Sequence, residues 1–323
     1  MRVAIVGAGL MGRWHAHYAA RAGADVVALV DPDPTALETL GRLYPRSLRF
    51  SRLDSCLAEA RPAVVHVCTP PGDHVPSTEA ALAAGAHVLV EKPLAPNAAA
   101  TDRLLEAASE RELLLAAVHQ FPFQPGFRRL LARRASLGDL VDVSFVTCSA
   151  GGTRRLPAER RTLLFEILVH PLSLFRALLG VGVEGIRWQT TLLTDDELAL
   201  AGASDGVSLR ARISLRGRPT RNELSVIGDR ATAHVDLFHG FSVVEAGAPS
   251  RRTKVLQPFT SGGGRIAAAG SNLVARAARR AYAYPGLAEL IAAFHAAAGD
   301  GAPAPVSPAE LRDIAAAVDR LRA

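Results

Sequence analysis

RVAIVGAGLMG, residues 2–12, is the stretch whose reading decides the fold. Residues 2–6 form a short apolar run with β-branched side chains, the pattern of a buried strand. Gly7, Gly9 and Gly12 follow at the spacing of a glycine turn that opens a helix. Gly7 allows the tight turn, Gly9 lets a pyrophosphate approach the backbone, and Gly12 lets the helix pack closely on the strand. Leu10, Met11 and Gly12 then begin a helix whose N–H groups and dipole favour phosphate. Asp31 closes the next apolar run, ADVVALVD (24–31), nineteen residues after Gly12. A carboxylate there accepts hydrogen bonds from an adenine-ribose diol and repels a 2′-phosphate. NAD is therefore the expected cofactor, with NADP left open; the structural alternative is a turn aspartate before Pro32.

Outward from this stretch, strand and helix patterns alternate. Helical segments end near Ala22 and cover 76–84 and 97–111; further strands read as AVVHVCTP (63–70), HVLVEKP (87–93) and LLLAAVHQ (113–120). Such alternation implies right-handed crossovers and a doubly wound parallel sheet, a Rossmann domain assigned to residues 1–122. Beyond Pro125 the period changes to two. LVDVSFVT (140–147), GIRWQTTLL (185–193), GVSLRARISL (206–215), TRNELSVIG (220–228) and ATAHVDLF (231–238) alternate apolar and polar residues. This predicts an α+β domain, residues 123–323, on an open, mostly antiparallel sheet with one half-wet face suited to a homodimer or homotetramer contact. The helix pattern LLFEILVHPLSLFRALLG lies within it, GGGR (262–265) reads as a loop, and two helices end the chain. Ser307, Pro308 and Glu310 make a capping box at the start of the last one.

Composition narrows the functions. Aromatics are 5% of 323 residues, which argues against a base-stacking nucleic-acid surface, and no helix-turn-helix is recognisable. No export signal and no apolar run of membrane-spanning length are read, so no membrane partner is expected and a cytoplasmic location is. Cys56, Cys68 and Cys148 have no metal spacing and read as free thiols in a reducing compartment; no metal is expected. Between Glu245 and Glu289 no acidic residue occurs, whereas Arg251, Arg252, Lys254, Arg265, Arg276, Arg279 and Arg280 do. Such a field suits an anionic ligand; the alternative is a solvated arginine surface.

Of 37 basic residues only Lys92 and Lys254 are lysine. Arginine cannot release a proton at working pH, whereas a lysine can once its surroundings lower its pKa. Lys92 stands at the carboxyl end of the fourth strand recognised in the sequence, the edge where open α/β sheets bind ligands. It is a candidate acid–base residue; the structural alternative is a bridge to Glu91.

GAGLMG after the first strand, TPPGDH (69–74) after the third and EKP (91–93) after the fourth resemble the glucose-fructose oxidoreductase / inositol dehydrogenase / MocA family. The resemblance covers the first 125 residues well and the rest more loosely. It implies hydride transfer between a nicotinamide and a carbinol or carbonyl carbon of a sugar, cyclic polyol or anionic sugar derivative. It also implies that Thr69, Pro70 and His74 line the nicotinamide side and that Glu91 and Lys92 adjoin the cofactor. The family's D-x-x-x-H pair maps onto Glu166 and His170, four apart on one helix face, with His170 suited to general acid–base work and Glu166 to tuning it. His119 and Gln120 are the polar groups expected beside the substrate. Departures are Glu166 for aspartate, Leu168 and Arg161-Thr162 for glycines, Ser173 for aspartate, and Pro122 for arginine. They leave two alternatives open: reduction of another double bond such as an imine, and a dinucleotide sensor without turnover.

Overall fold

The apolar runs of the first half lie edge to edge because each is buried on both faces. The computed structural model describes residues 1–152, 155–247, 251–279 and 283–322. In chain order its first elements are β1 (Arg2–Val6), α1 (Leu10–Arg21), β2 (Asp25–Val30), α2 (Pro34–Gly41), β3 (Leu48–Phe50), α3 (Leu53–Ala60), β4 (Val64–Val67), α4 (His74–Ala83), β5 (His87–Val90), α5 (Ala98–Ser109) and β6 (Leu115–Ala117). The strands pair in parallel in the order β3-β2-β1-β4-β5-β6. The order reverses direction between β1 and β4, so the loops leaving these two strands bound the crevice where such sheets take ligands. Local signals start the helices: Asp33 accepts the Thr35 N–H ahead of α2, and Asn97 accepts the Ala100 N–H ahead of α5, both at 2.8 Å.

The later elements are α6 (Pro125–Ala132), β7 (Leu140–Cys148), α7 (Pro157–Ile167), α8 (Val169–Leu179), β8 (Gln189–Thr194), β9 (Glu197–Ser204), β10 (Val207–Ser214), β11 (Arg221–Gly228), β12 (Ala231–Asp236), β13 (Phe241–Ala246), α9 (Arg251–Ala278), α10 (Leu287–Asp300) and α11 (Pro308–Arg322). The second sheet runs β13-β12-β11-β7-β10-β9-β8; β7 and β10 pair in parallel and the other neighbours antiparallel. Alternation does what it predicts: Ala231, Ala233 and Val235 of β12 are buried, and the residues between them are half-exposed.

Several expectations change. The parallel sheet has a sixth strand, β3, too short to register as a pattern. β9 and β13 were not foreseen either; β9 is alanine-rich, and pairing with β10 overrides its weak strand propensity. GGGR lies inside α9, not in a loop; a helix tolerates glycine at about 1 kcal/mol each. The compact units are Met1–His119 with Leu287–Asp319, and Gln120–Gly286 with Arg320–Ala323. The contiguous division at 122/123 is thus corrected, because α10 packs on α1 and the apolar Leu287, Leu290, Ile291 and Phe294 are buried. Pro157–Leu179 is also apolar and long enough to cross a membrane, with mean hydropathy 1.6, contrary to the sequence expectation; half of it is buried. It is not one unbroken helix. Pro171 has no N–H to give the Ile167 carbonyl, and the chain turns at Leu168 between α7 and α8. Cys56 and Cys148 are buried, Cys68 is half-buried, and all three are free thiols.

Candidate functional site

The glycine turn is built by close approaches. Gly7 has φ +95°, and its N–H donates to the Val30 carbonyl at 2.8 Å. A Cβ there would stand 2.6 Å from the Cys68 carbonyl oxygen. A Cβ on Gly12 would overlap the Gly7 carbonyl oxygen, so glycine alone lets α1 sit this close to β1. Gly9, the residue capping α1, is different: a Cβ would meet nothing within 4 Å. No side chain caps α1 and its first turn holds no acid, which leaves the N–H groups of Leu10, Met11 and Gly12 to an incoming anion.

Asp31 is half-buried, and its carboxylate accepts the Ala8 N–H at 2.7 Å and the Asp33 N–H at 2.9 Å, one on each oxygen. The same residue therefore ties β2 to the glycine turn and keeps further lone pairs for a ribose diol. Thr69 follows β4, and its buried Oγ1 has no hydrogen-bond partner among the described residues. An uncapped helix start, open space over Gly9, a carboxylate after β2 and an orphaned hydroxyl after β4 together fit a dinucleotide.

His74 was expected to line the nicotinamide side with Thr69 and Pro70. It has no exposed surface, and its ring nitrogens meet the Thr69 carbonyl at 2.9 Å and the Pro93 carbonyl at 2.6 Å. It clamps the loop after β4 to the loop after β5, and Lys92 lies in the second of these. Pro70 is exposed at the loop start, and the Lys92–Pro93 peptide is cis.

Glu91 accepts the Lys92 backbone N–H at 3.2 Å and contacts Nε2 of His15 at 3.1 Å. Burial pushes its carboxyl up, but the hydrogen bond and electrostatic contact with His15, helped by Lys92, hold it below the ordinary carboxylate range. The sequence reading missed what stands behind it. Nδ1 of His15 meets Nδ1 of His66 at 3.1 Å, and Nε2 of His66 meets Nε2 of His295 at 3.0 Å. The available signal was a histidine inside the apolar strand VVHV of β4. His119, at the end of this unit, is buried with Nδ1 3.5 Å from Glu310 of α11. Ser307 accepts the Glu310 N–H at 3.1 Å, the serine half of the expected capping box, while the Glu310 carboxylate faces His119.

In the second unit, Glu166 lies at the end of α7 and His170 at the start of α8, both half-buried, on either side of the Leu168 junction, where the backbone keeps helical dihedrals. His170 stacks on Phe121, ring centroids 4.2 Å apart and planes 15° from parallel. Ser173 donates its hydroxyl to the His170 carbonyl at 2.9 Å. Gln120 precedes Phe121, and its buried Oε1 has no partner among the described residues. Arg161 pairs with Asp195 at 2.6 Å.

Arg265 lines a cavity of about 280 Å³ on the half-wet sheet face with Ser144, Ser225, His234 and Asp236. Arg276 donates to the His239 carbonyl at 3.0 Å. The Arg251, Arg252 and Lys254 side chains and Arg280 lie outside the described residues.

Residues 1–119 match the model of the oxidoreductase family with an NAD-binding Rossmann fold. UDP-N-acetylglucosamine 3-dehydrogenase of Acidithiobacillus ferrooxidans is 29% identical over 213 residues, 63% of this chain and 62% of that protein. Inositol 2-dehydrogenase of Rhizobium meliloti is 27% identical over 216 residues, 65% of this chain and 64% of that protein. The matched segments thus span less than two thirds of these relatives. The WlbA dehydrogenase of Bordetella pertussis, solved with NADH and UDP-GlcNAcA, superposes with a TM-score of 0.74 at 16% identity, covering 99% of this chain and 95% of that one. With the glycine turn, TPPGDH and EKP standing on the loops after β1, β4 and β5, residues 1–119 match the glucose-fructose oxidoreductase / inositol dehydrogenase / MocA oxidoreductase family, whose Rossmann fold binds NAD.

Proposed function

We propose that the chain is an NAD-dependent dehydrogenase acting on a carbinol or carbonyl carbon of a sugar, cyclic polyol or anionic sugar derivative, with Lys92 as acid–base residue. NAD, when bound, supplies a nicotinamide carbon that takes or returns hydride. Leu10, Met11 and Gly12 hold its pyrophosphate with backbone N–H groups, Asp31 holds its ribose, and the Thr69 hydroxyl takes a hydrogen bond from it. Lys92 removes the hydroxyl proton as hydride leaves the carbinol, and its ammonium stabilises the alkoxide. His170 is the second acid–base residue, Glu166 tunes it across the Leu168 turn, and His119 and Gln120 adjoin the substrate. One observation carries the reading: His74 bridges the Thr69 and Pro93 carbonyls, which joins the turn bearing Lys92 to the loop after β4. The relatives' names support sugar-like substrates, some of them nucleotide sugars. The half-wet sheet face and the exposed Phe259, Ile266 and Leu273 of α9 support a homo-oligomer, whose order sedimentation equilibrium reads.

The test follows nicotinamide absorbance with NAD, and separately NADP, against myo-inositol, free sugars, uronates and UDP-N-acetylglucosamine. Lys92→Ala is expected to lower kcat by about 10²–10⁴ with NAD affinity retained, and Lys92→Arg to restore nothing, since guanidinium releases no proton. Full activity in Lys92→Ala would sink the acid–base assignment. NAD binding without turnover of any substrate would favour the sensor alternative.

A further inference from the structure

Three histidines stand in file behind Glu91. His15 is on α1, His66 on β4 and His295 on α10; the first two have no exposed surface and the third is 7% exposed. The contacts run Glu91 to His15 at 3.1 Å, His15 to His66 at 3.1 Å and His66 to His295 at 3.0 Å. Each middle ring uses both nitrogens, one toward each neighbour. We infer that Glu91, His15, His66 and His295 form a proton relay that connects the Lys92 turn with the far side of the first unit, serving the acid–base step proposed above and resting on that reading.

Hydrogen-bond bookkeeping gives the file a direction. A neutral imidazole has one donor and one acceptor nitrogen. With Glu91 a carboxylate, His15 must donate from Nε2 and accept at Nδ1. His66 then donates from Nδ1 and accepts at Nε2, and His295 donates from Nε2. Nδ1 of His295 is left as an acceptor, and that buried atom has no partner among the described residues. If a proton arrives there, three jumps follow: His295 to His66, His66 to His15, and His15 to Glu91. The result is a protonated Glu91 and the opposite tautomer on every ring. No heavy atom moves, one proton enters, and one is delivered. The reverse sequence removes one proton. A carbinol oxidised by hydride loss releases one proton, and a carbonyl reduced by hydride takes up one, so stoichiometry matches one passage per turnover once the rings return to their starting tautomers.

The surroundings suit passage better than storage. Burial, with the charges of neighbouring His15 and His295, holds His66 well below the ordinary histidine range, and burial first, then the N-terminal amine and His15, lowers His295 to about 4. Imidazolium is therefore disfavoured at both, and a proton moves on. Other titratable neighbours are the N-terminal amine beside His295, and Lys92 and Cys68 beside Glu91, the thiol raised by burial and by Glu91.

Two measurements test it. Nitrogen NMR of the full chain with labelled histidine reads ring tautomers without any turnover. Near neutral pH the expected set is Nε2–H on His15, Nδ1–H on His66 and Nε2–H on His295. A different set, or a charged His66, overturns the relay, and this result stands even if no substrate turns over. The second measurement uses whichever of myo-inositol and UDP-N-acetylglucosamine proves a substrate. His66→Gln keeps a polar side chain of similar size but passes no proton. It is expected to lower kcat about tenfold, enlarge the solvent deuterium isotope effect on kcat, and leave KM and NAD affinity within about twofold. His295→Gln, nearer the surface, carries the same expectation should His66→Gln fail to fold. Wild-type kcat and isotope effect in a folded variant would overturn the proposal. Loss of the Lys92 assignment is separately visible, as retained activity in Lys92→Ala.

Discussion

Gly9 and Gly12 stand three residues apart in one turn, yet alanine should affect them oppositely. A Cβ on Gly9 meets nothing within 4 Å, and the residue has φ −71° and ψ −160°, which alanine adopts without strain. Alanine is the poorer helix cap, by up to about 1 kcal/mol, and a less flexible unfolded chain offsets about 0.4–1 kcal/mol of that. Apo stability should therefore move by less than about 1 kcal/mol, or about 4 °C in Tm for a unit of this size. The methyl would, however, stand where a pyrophosphate approaches α1. Loss of two charge-assisted hydrogen bonds at about 1.5 kcal/mol each is about 3 kcal/mol, or roughly 100-fold in NAD affinity. A Cβ on Gly12 collides with the Gly7 carbonyl oxygen and touches the Ile5 side chain at 3.4 Å. The helix must lift from the strand, an overpacking cost of about 1–3 kcal/mol or more. Gly12→Ala should therefore lower Tm by several degrees, about 2–4 °C per kcal/mol, and weaken NAD as well. Thermal melts of the apo forms and calorimetric titration with NAD separate the two. Wild-type NAD affinity in Gly9→Ala would refute the pyrophosphate placement, and an unchanged Tm in Gly12→Ala would refute the packing.

Asp31→Asn keeps one acceptor oxygen for Ala8 but removes the charge; NAD affinity should fall about tenfold and the preference over NADP should narrow, which parallel titrations with both dinucleotides read. Acid should destabilise the first unit. Burial lowers His66 and His87, and burial with the N-terminal amine brings His295 to about 4. The unfolded chain then binds more protons, so this stability is fully present above pH 6.5 and is lost as pH falls from 6.5 toward 4. His295 alone accounts for about 3 kcal/mol across that window. Tm measured from pH 7 to 4 should fall, and should fall less in His295→Gln; an equal slope in both would refute the assignment.

What the sequence determined by itself is local. A glycine turn needs particular residues at adjacent positions, so Gly7, Gly9, Gly12 and the nineteen-residue interval to Asp31 are readable along the chain. Burial on both faces makes parallel strands continuous apolar runs, and burial on one face makes alternation, so both sheets were legible as well. Lys92 declared itself because arginine had replaced lysine almost everywhere else. Tertiary structure decided whatever depends on partners far apart in the chain. β9 is a strand because β10 pairs with it, α10 joins the first unit because α1 covers its apolar face, and His74 is a clamp because two loops bring carbonyls to its ring. The file of His15, His66 and His295 spans 280 positions and rests on two hydrogen bonds. No spacing rule connects such residues; only the packing of α1, β4 and α10 brings their nitrogens within reach.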